Sequence, residues 1–501
     1  MDLISNLGHG FAVALTFNNI LFCLIGCIIG TAIGVLPGIG PVATISLLLP
    51  ITFGQPATTA IIMLAGIYYG AQYGGSTTAI LLNLPGEVSS VVTTLEGYKM
   101  ARNGRAGAAL SVAALGSFFA GSVATIVVAA SGPLLTQVAL SFGPADYFSL
   151  MFLGLVISAV LAQGSVIKSI GMVALGVSLG MVGTDVQTGQ QRFTFGIPEL
   201  SDGVGFVSMA MGMFGIAEIV LNLERPESRN VMSGKVGSLM MTRAEFHRAI
   251  PSVLRGTLVG TMLGILPGGG AALSSFGSYM MERKLSKYRH EFGTGAIEGV
   301  AGPEAANNAA SQTSFIPLLT LGIPANAVMA LMVGALIIQG IQPGPRMVEA
   351  QPDLFWGLIA SMWVGNLMLL VINLPMIGMW VKLLSVPYRY MYPAIMIFCA
   401  IGVYSLQNNV FDVYQTVFFG IFGYLCSKLR LEAAPMLIGF VLGPMMEEHL
   451  RRAMLLSRGD AMIFLQRPIS ATMLAIAAIA LAAMLMPNIR KGKDSALAEG
   501  G

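Results

Sequence analysis

Charge is what this sequence has least of. Asp, Glu, Lys and Arg make up 10% of its 501 residues while 55% are hydrophobic, against about 25% charged in an ordinary soluble chain. The deficit is uneven: no such residue occurs between Asp2 and Glu87, and none between Glu304 and Arg346. Uncharged runs on this scale exclude a disordered, collagen-like, coiled-coil or water-soluble scaffold, because a bilayer core about 30 Å thick takes roughly 20 apolar residues per helix. Cysteine is scarce too. Cys23, Cys27, Cys399 and Cys426 lie in apolar stretches, which argues against a disulfide framework. Cys23 and Cys27 share a helix face without a nearby His or acidic residue, so no metal site is expected there. The four histidines, His9, His247, His290 and His449, are scattered and build neither a metal constellation nor a catalytic triad. A net charge of +3, with basic residues in short clusters, excludes a nucleic-acid surface. The N-terminus lacks a basic segment before its first apolar run and reads as a retained first segment rather than a signal peptide.

What is present is apolar stretch after apolar stretch, many shorter than a full span and interrupted by Gly and Pro. The expected fold is all-α, a polytopic integral membrane protein with about 10–12 transmembrane helices, inverted-topology repeats and broken or re-entrant helices. Lys and Arg concentrate at Lys99 to Arg105, Arg225 to Arg248, Arg283 to Arg289, Arg451 to Arg467 and Arg490 to Lys493. Most of these should be cytoplasmic, although the segment Ile469 to Met486 lies between two basic clusters and leaves the side of the tail unassigned. Four regions follow: a first membrane repeat with following helices over 1–223, a basic cytoplasmic linker over 224–252, a second repeat over 253–445, and a basic loop, last helix and tail over 446–501.

An internal repeat is the most informative feature. Gly30-Thr31-Ala32-Ile33-Gly34-Val35-Leu36-Pro37-Gly38-Ile39-Gly40 recurs as Gly260-Thr261-Met262-Leu263-Gly264-Ile265-Leu266-Pro267-Gly268-Gly269-Gly270, identical at seven of eleven positions. A looser pair follows each copy, Gly75 to Gly86 and Ala310 to Ala325, each rich in Ser and Thr and closing on a Pro turn. The second Leu-Pro-Gly tip sits between basic clusters, whereas the first is followed by an uncharged flank. Opposite charge bias in equivalent loops is the mark of an inverted repeat.

Non-helical backbone at membrane depth is tolerated only beside protein or a wet cavity. The tips are therefore candidate substrate-binding elements through Gly38, Gly40, Gly268, Gly269 and Gly270, since helix N-termini there offer free N–H groups to an anion. Neither tip is followed by Lys-Ser or Lys-Thr, so a soluble phosphate loop does not fit. Uncharged donors can hold a carboxylate without burying a cation. Gly74, Gly75, Ser76, Thr77 and Thr78 in the first half, and Asn307, Asn308, Ser311, Gln312 and Thr313 in the second, complete the candidate substrate set. Oxygen ligands and carboxylates beside the Pro turns form the candidate coupling-ion set: Asn83, Pro85, Glu87, Glu304, Thr320, Gly322, Pro324 and Asn326. Each of these polar residues also has a plain reading as glue between helices.

The strings Gly34 to Pro41, Tyr69 to Glu87, Pro303 to Ala310 and Leu321 to Pro324 resemble the large membrane subunit of the tripartite tricarboxylate transporters, and the resemblance runs from about residue 10 to 490. It implies a multi-pass permease of the bacterial inner membrane. Its partners would be a small four-helix-type membrane subunit and a periplasmic solute-binding protein. It would import a carboxylate, such as citrate or a related di-, tri- or aromatic carboxylate, by symport with Na+ or H+, with no other cofactor. Alternating access would be elevator-like. A channel using the Gly-rich motifs as a filter is the alternative, but an inverted pair within one chain fits a carrier better. An enzyme is not expected, because Asp146 and Glu218 lack any motif context for intramembrane catalysis.

Overall fold

The computed structural model describes residues 3–36, 40–162, 165–185, 187–224, 238–266, 270–383 and 392–485. Helices dominate. The first half runs α1 (Leu3–Ala14), α2 (Phe17–Val35), α3 (Pro41–Thr52), α4 (Ala57–Leu82), α5 (Val91–Met100), α6 (Ala106–Leu140), α7 (Pro144–Leu161), α8 (Val166–Gly180), α9 (Phe206–Ala210) and α10 (Ala217–Glu224). Between α8 and α9 stands a small antiparallel hairpin, β1 (Gly183–Thr184) and β2 (Gln191–Arg192). The second half runs α11 (Arg243–Gly264), α12 (Gly270–Leu285), α13 (Glu298–Thr313), α14 (Phe315–Leu321), α15 (Ala327–Ile338), α16 (Met347–Ala350), α17 (Pro352–Asn373), α18 (Ile377–Leu383), α19 (Tyr392–Gln407), α20 (Val410–Lys428), α21 (Ala433–Leu456), α22 (Ile463–Gln466) and α23 (Pro468–Leu485). Among the described residues six helices are long and apolar enough to cross a bilayer unaided, and five further apolar helices are shorter. The all-α, polytopic membrane fold expected from composition is what the chain adopts.

The two halves are built alike because the same small residues bring the same helices together. In α2, Gly26, Gly30 and Gly34 press on the backbone of α4; a Cβ at Gly30 would lie 2.3 Å from the Ile67 carbonyl oxygen. Gly66, Gly70 and Gly74 on α4 return the contact. In α11, Gly256, Gly260 and Gly264 repeat the pattern against Gly302, Ala306 and Ala310 of α13. Association in lipid lacks a hydrophobic drive, so close backbone approach of this kind is what holds such helices. The contact order shows that α2 runs parallel to α4 and α11 parallel to α13. Each pair is interrupted by a returning helix, α3 or α12.

The units run in opposite directions. Thr59 donates to Asn19 at 2.6 Å, Gln339 to the Thr52 carbonyl at 2.9 Å, and His9 lies 2.6 Å from Asp353. The starts of α2, α4 and α17 therefore share one face, here called the upper face. The opposite, lower face holds the Lys99 contact to the Gly293 carbonyl, the Arg105–Glu245 pair and the Arg248–Glu298 pair at 2.9 Å. The 35-residue α6 links the two, starting beside Arg105 and bringing Gly132 against Phe355 of α17. Hairpin α2–α3 thus enters from and returns to the upper face, and α11–α12 to the lower. Finally α23 runs parallel to α7, with Ser470 on Asp146 near its start and Ala477 beside Val156 and Val160. Its described end, at Leu485, is directed toward the lower face.

Candidate substrate and coupling site

Helices α4 and α13 meet antiparallel in the middle of the protein and bring the two Ser/Thr/Asn motifs face to face. On α4, Tyr68, Gln72 and Ser76 follow at four-residue spacing, so all three line one stripe. Opposite them on α13 stand Ser311, Asn307, Asn308 and Glu304. Tyr68 shares hydrogen bonds with Ser311, Ser314 and Asn326. Ser76 Oγ lies 2.5 Å from Glu304 Oε2, and Asn307 Nδ2 donates to the same oxygen at 3.3 Å. Thr93 of α5 donates to the other carboxyl oxygen, Oε1. Asn308 bridges to Ser117 of α6 at 2.7 Å and to Asn307 Oδ1 at 2.6 Å. Glu304 is fully buried, and among the described residues no Lys or Arg pairs with it. A buried carboxyl held only by neutral donors is costly to keep in a membrane interior, which keeps Glu304 a candidate functional residue.

The turns that close each motif are superposable in conformation. Asn83 (φ 58°, ψ 29°) corresponds to Gly322 (φ 74°, ψ 18°), both left-handed, each ending a helix. Four residues on, Glu87 (φ −152°, ψ 170°) corresponds to Asn326 (φ −155°, ψ 179°), each the extended residue that starts the next helix. Pro85 and Pro324 occupy matching places between them. The described residues flanking the Leu-Pro-Gly motifs border these turns. Gly34, near the end of α2, packs against Gly86; α12 packs on Val88–Ser90, and its first residue Gly270 lies against Asn326. Helices α3 and α12 start just after the motifs, with Gly40 preceding Pro41 and Gly270 opening α12, so each begins with a free helix N-terminus.

Not every candidate points into this centre. Gly38, Gly268 and Gly269 lie outside the described residues. Thr78 donates to the Val35 carbonyl at 2.6 Å, closing the end of α2, and Gly74 belongs to the α2–α4 seam. Thr313 sits on Gly264 and bonds the Ala309 carbonyl, while Thr320 bonds the Ile316 carbonyl at 2.7 Å. Gln312 is buried with its Oε1 unpartnered. Gly75 backs onto Glu87, Asn83 is exposed, and Glu87 is half-buried beside Ser89. Thr77 joins Ser76, Tyr73 and Ser117 around a water-sized cavity.

Several members of the site come from elements the motifs do not include. Gln72 accepts from Ser89 at 2.8 Å, and Tyr73 donates to Asn366 of α17 at 2.6 Å. Thr93, Ser117 and Asn366 lie outside the duplicated motifs, each in a helix that carries other polar residues as well, so no sequence signal singles them out.

Fold and site together define a multi-pass membrane transport protein with inverted repeats around a polar centre that buries the Glu304 carboxyl. The chain belongs to the tripartite tricarboxylate transporter TctA family, which it matches over residues 20–438. This is a family of transporters, not of enzymes. An uncharacterized 52.8 kDa protein in the TAR-I ttuC′ 3′ region of Agrobacterium vitis is 59% identical over 499 residues, covering 100% of this chain and 99% of that protein. A second relative, an uncharacterized protein in the TAR-II ttuC′ 3′ region of the same organism, is 60% identical over 240 residues, 48% of this chain and 99% of its own length. No solved structure matches the chain.

Proposed function

We propose that this chain is the large permease subunit of a binding-protein-dependent secondary transporter that imports a carboxylate, citrate or a related di-, tri- or aromatic carboxylate, together with a cation. The observation that carries the reading is the antiparallel meeting of α4 and α13 between two oppositely directed hairpins, with hydroxyls, amides and the Glu304 carboxyl, which no Lys or Arg among the described residues pairs with, at its centre. A carboxylate held by Tyr68, Ser311, Asn326 and the N-termini of α3 and α12 needs no buried lysine or arginine. Its charge is offset by a co-transported cation at Glu304 or Glu87. The duplicated unit moves against the flanking helices as an elevator, because the two tips belong to units of opposite direction about one centre. The lower face carries Lys99, Arg102, Arg105, Arg243, Arg248, Arg283 and Lys284 and is cytoplasmic by the positive-inside rule. The upper face then meets the periplasmic binding protein, and the small membrane subunit completes the complex in the bacterial inner membrane.

Cysteine labelling tests the site. In Ser311→Cys, a membrane-impermeant thiol reagent should reach the new thiol in turn from each face of reconstituted vesicles, and citrate should protect it. Labelling from a single face that citrate leaves unchanged would rule out this position as an alternately exposed site. A channel filter predicts simultaneous access from both faces.

A further inference from the structure

Glu304 and its surroundings say which cation the site takes. We propose that Glu304 carries the coupling proton, loaded through the Ser76 hydroxyl from the small cavity against α6; this rests on the reading of the chain as a coupled carrier. Ser76 has one hydroxyl hydrogen and two acceptors in reach, Glu304 Oε2 at 2.5 Å and the Gln72 carbonyl oxygen at 3.0 Å. With Glu304 ionised, the hydroxyl points at the carboxylate, which then accepts from Ser76, Thr93 and Asn307 together. With Glu304 protonated, Oε2–H donates to Ser76 Oγ, and the Ser76 hydroxyl turns to the Gln72 carbonyl. A single rotor turn satisfies either state with no backbone change, which a group that must gain and lose a proton in a buried position requires.

Both carboxyl oxygens are already engaged by hydroxyls at hydrogen-bond distance and the residue is fully buried, so this geometry favours a proton over a metal cation that would have to displace those bonds. A water-sized cavity lies beside Ser76, lined by Tyr73, Ser76, Thr77, Ser117 and Asn373 among others. Asn373 Oδ1 is buried there without a partner. A water bonded to Asn373 and Ser76 that has taken up a proton from solvent would pass that extra proton to Ser76 Oγ as the Ser76 hydroxyl proton moves to Glu304 Oε2, leaving a neutral water, and the reverse path returns it. No bond other than O–H changes.

Other ionisable groups lie on the elements packed on or near α13. They are Tyr73 on α4, Glu87 beyond its end and Glu96 on α5. From the lower face come Tyr279 and Glu282 on α12 and Arg255 on α11, the last two paired at 2.6 Å. Arg248 is held by Glu291 and Glu298 at the start of α13; α6 contributes only the Ser117 hydroxyl to this region. The two cations are thus engaged by other carboxylates, and among the described residues no Lys or Arg pairs with Glu304.

Infrared difference spectroscopy on the purified full chain tests this without a substrate. A protonated-carboxyl stretch that titrates with pH is expected in the wild type and should vanish in Glu304→Gln. In Ser76→Ala the band should persist but exchange its proton for deuterium about a hundredfold more slowly, the lower end of what a positioned proton donor contributes. No Glu304-dependent band at any pH at which the protein stays folded would overturn the proposal. So would unchanged exchange in Ser76→Ala, which also decides the matter if Glu304→Gln fails to fold. Uptake of citrate by the wild type with its partners, driven by a sodium gradient without proton movement, would overturn the proton assignment and leave the carrier reading standing. Saturable uptake accompanied by internal acidification supports both.

Discussion

Replacing Gly260 by Ala adds one methyl group where the structure has no room for it. Its Cβ would lie 2.1 Å from the Ala306 carbonyl oxygen and 2.8 Å from the Ala306 carbonyl carbon and Cα, all backbone atoms that cannot rotate away. Ordinary contact begins near 3.4 Å, so α11 and α13 must separate locally by more than an ångström. Forced overpacking of this kind costs about 1–3 kcal/mol. Because Ala306 is two residues from Glu304, the same displacement stretches the Ser76–Glu304 contact. Gly30→Ala should behave alike, with its Cβ 2.3 Å from the Ile67 carbonyl oxygen, whereas Gly40 has nothing within 4 Å and its Ala variant should stay within about 0.5 kcal/mol of wild type. Unfolding in denaturant, in detergent micelles, gives the three stabilities, and initial uptake rates give the functional effect. If Gly260→Ala matches Gly40→Ala in stability, the close-packed seam is not what holds the repeat together.

Three further outcomes follow from contacts at the faces. Arg255→Met leaves the fully buried Glu282 with only Ser252 as a donor and should destabilise by about 3–5 kcal/mol; Glu282→Gln, which leaves a partly exposed Arg255, should cost less, and equal losses would contradict the assigned asymmetry. Glu96→Ala strips the acceptor from the Gly293, Gly295 and Ala296 N–H groups and the Tyr279 hydroxyl, so it should cost at least about 2 kcal/mol and speed hydrogen exchange in 293–296. At the hairpin, the Thr188 hydroxyl, the Gln187 N–H, Arg451 and Arg192 hold the Asp185 carboxyl well below its usual range. A lowered folded-state value gives stability present above the unfolded value of about 3.9 and lost as pH falls below it. Exchange in 183–192 should therefore stay slow down to about pH 4 and rise below it, an acid response that Asp185→Asn should lack.

The sequence reveals the fold class and the duplication because both rest on residue types that the physics restricts. Apolar runs without charge can only be membrane helices, and the glycines at four-residue spacing are kept because any Cβ would strike a neighbouring backbone. The exact register of the second motif is not legible in the same way. Ser and Thr at Gly75–Gly86 and Ala310–Ala325 suggest one alignment, but the structure matches Asn83 to Gly322 and Glu87 to Asn326. What is duplicated there is backbone conformation, and different side chains can adopt it: Asn tolerates the left-handed region almost as Gly does. The partners of Glu304 were hidden for another reason. Thr93 and Ser117 belong to helices that pass the site without carrying a motif, and tertiary packing alone brings them to it.

The central claim is that this chain is a coupled carrier for a carboxylate. The direct test is uptake of radiolabelled citrate into proteoliposomes holding the chain with its small subunit and binding protein. The account predicts saturable uptake that depends on the binding protein, concentrates citrate above its external level under an inward cation gradient, and collapses when that gradient is dissipated. Flux that rises linearly with citrate, stops at equal concentrations and ignores the gradient would contradict it.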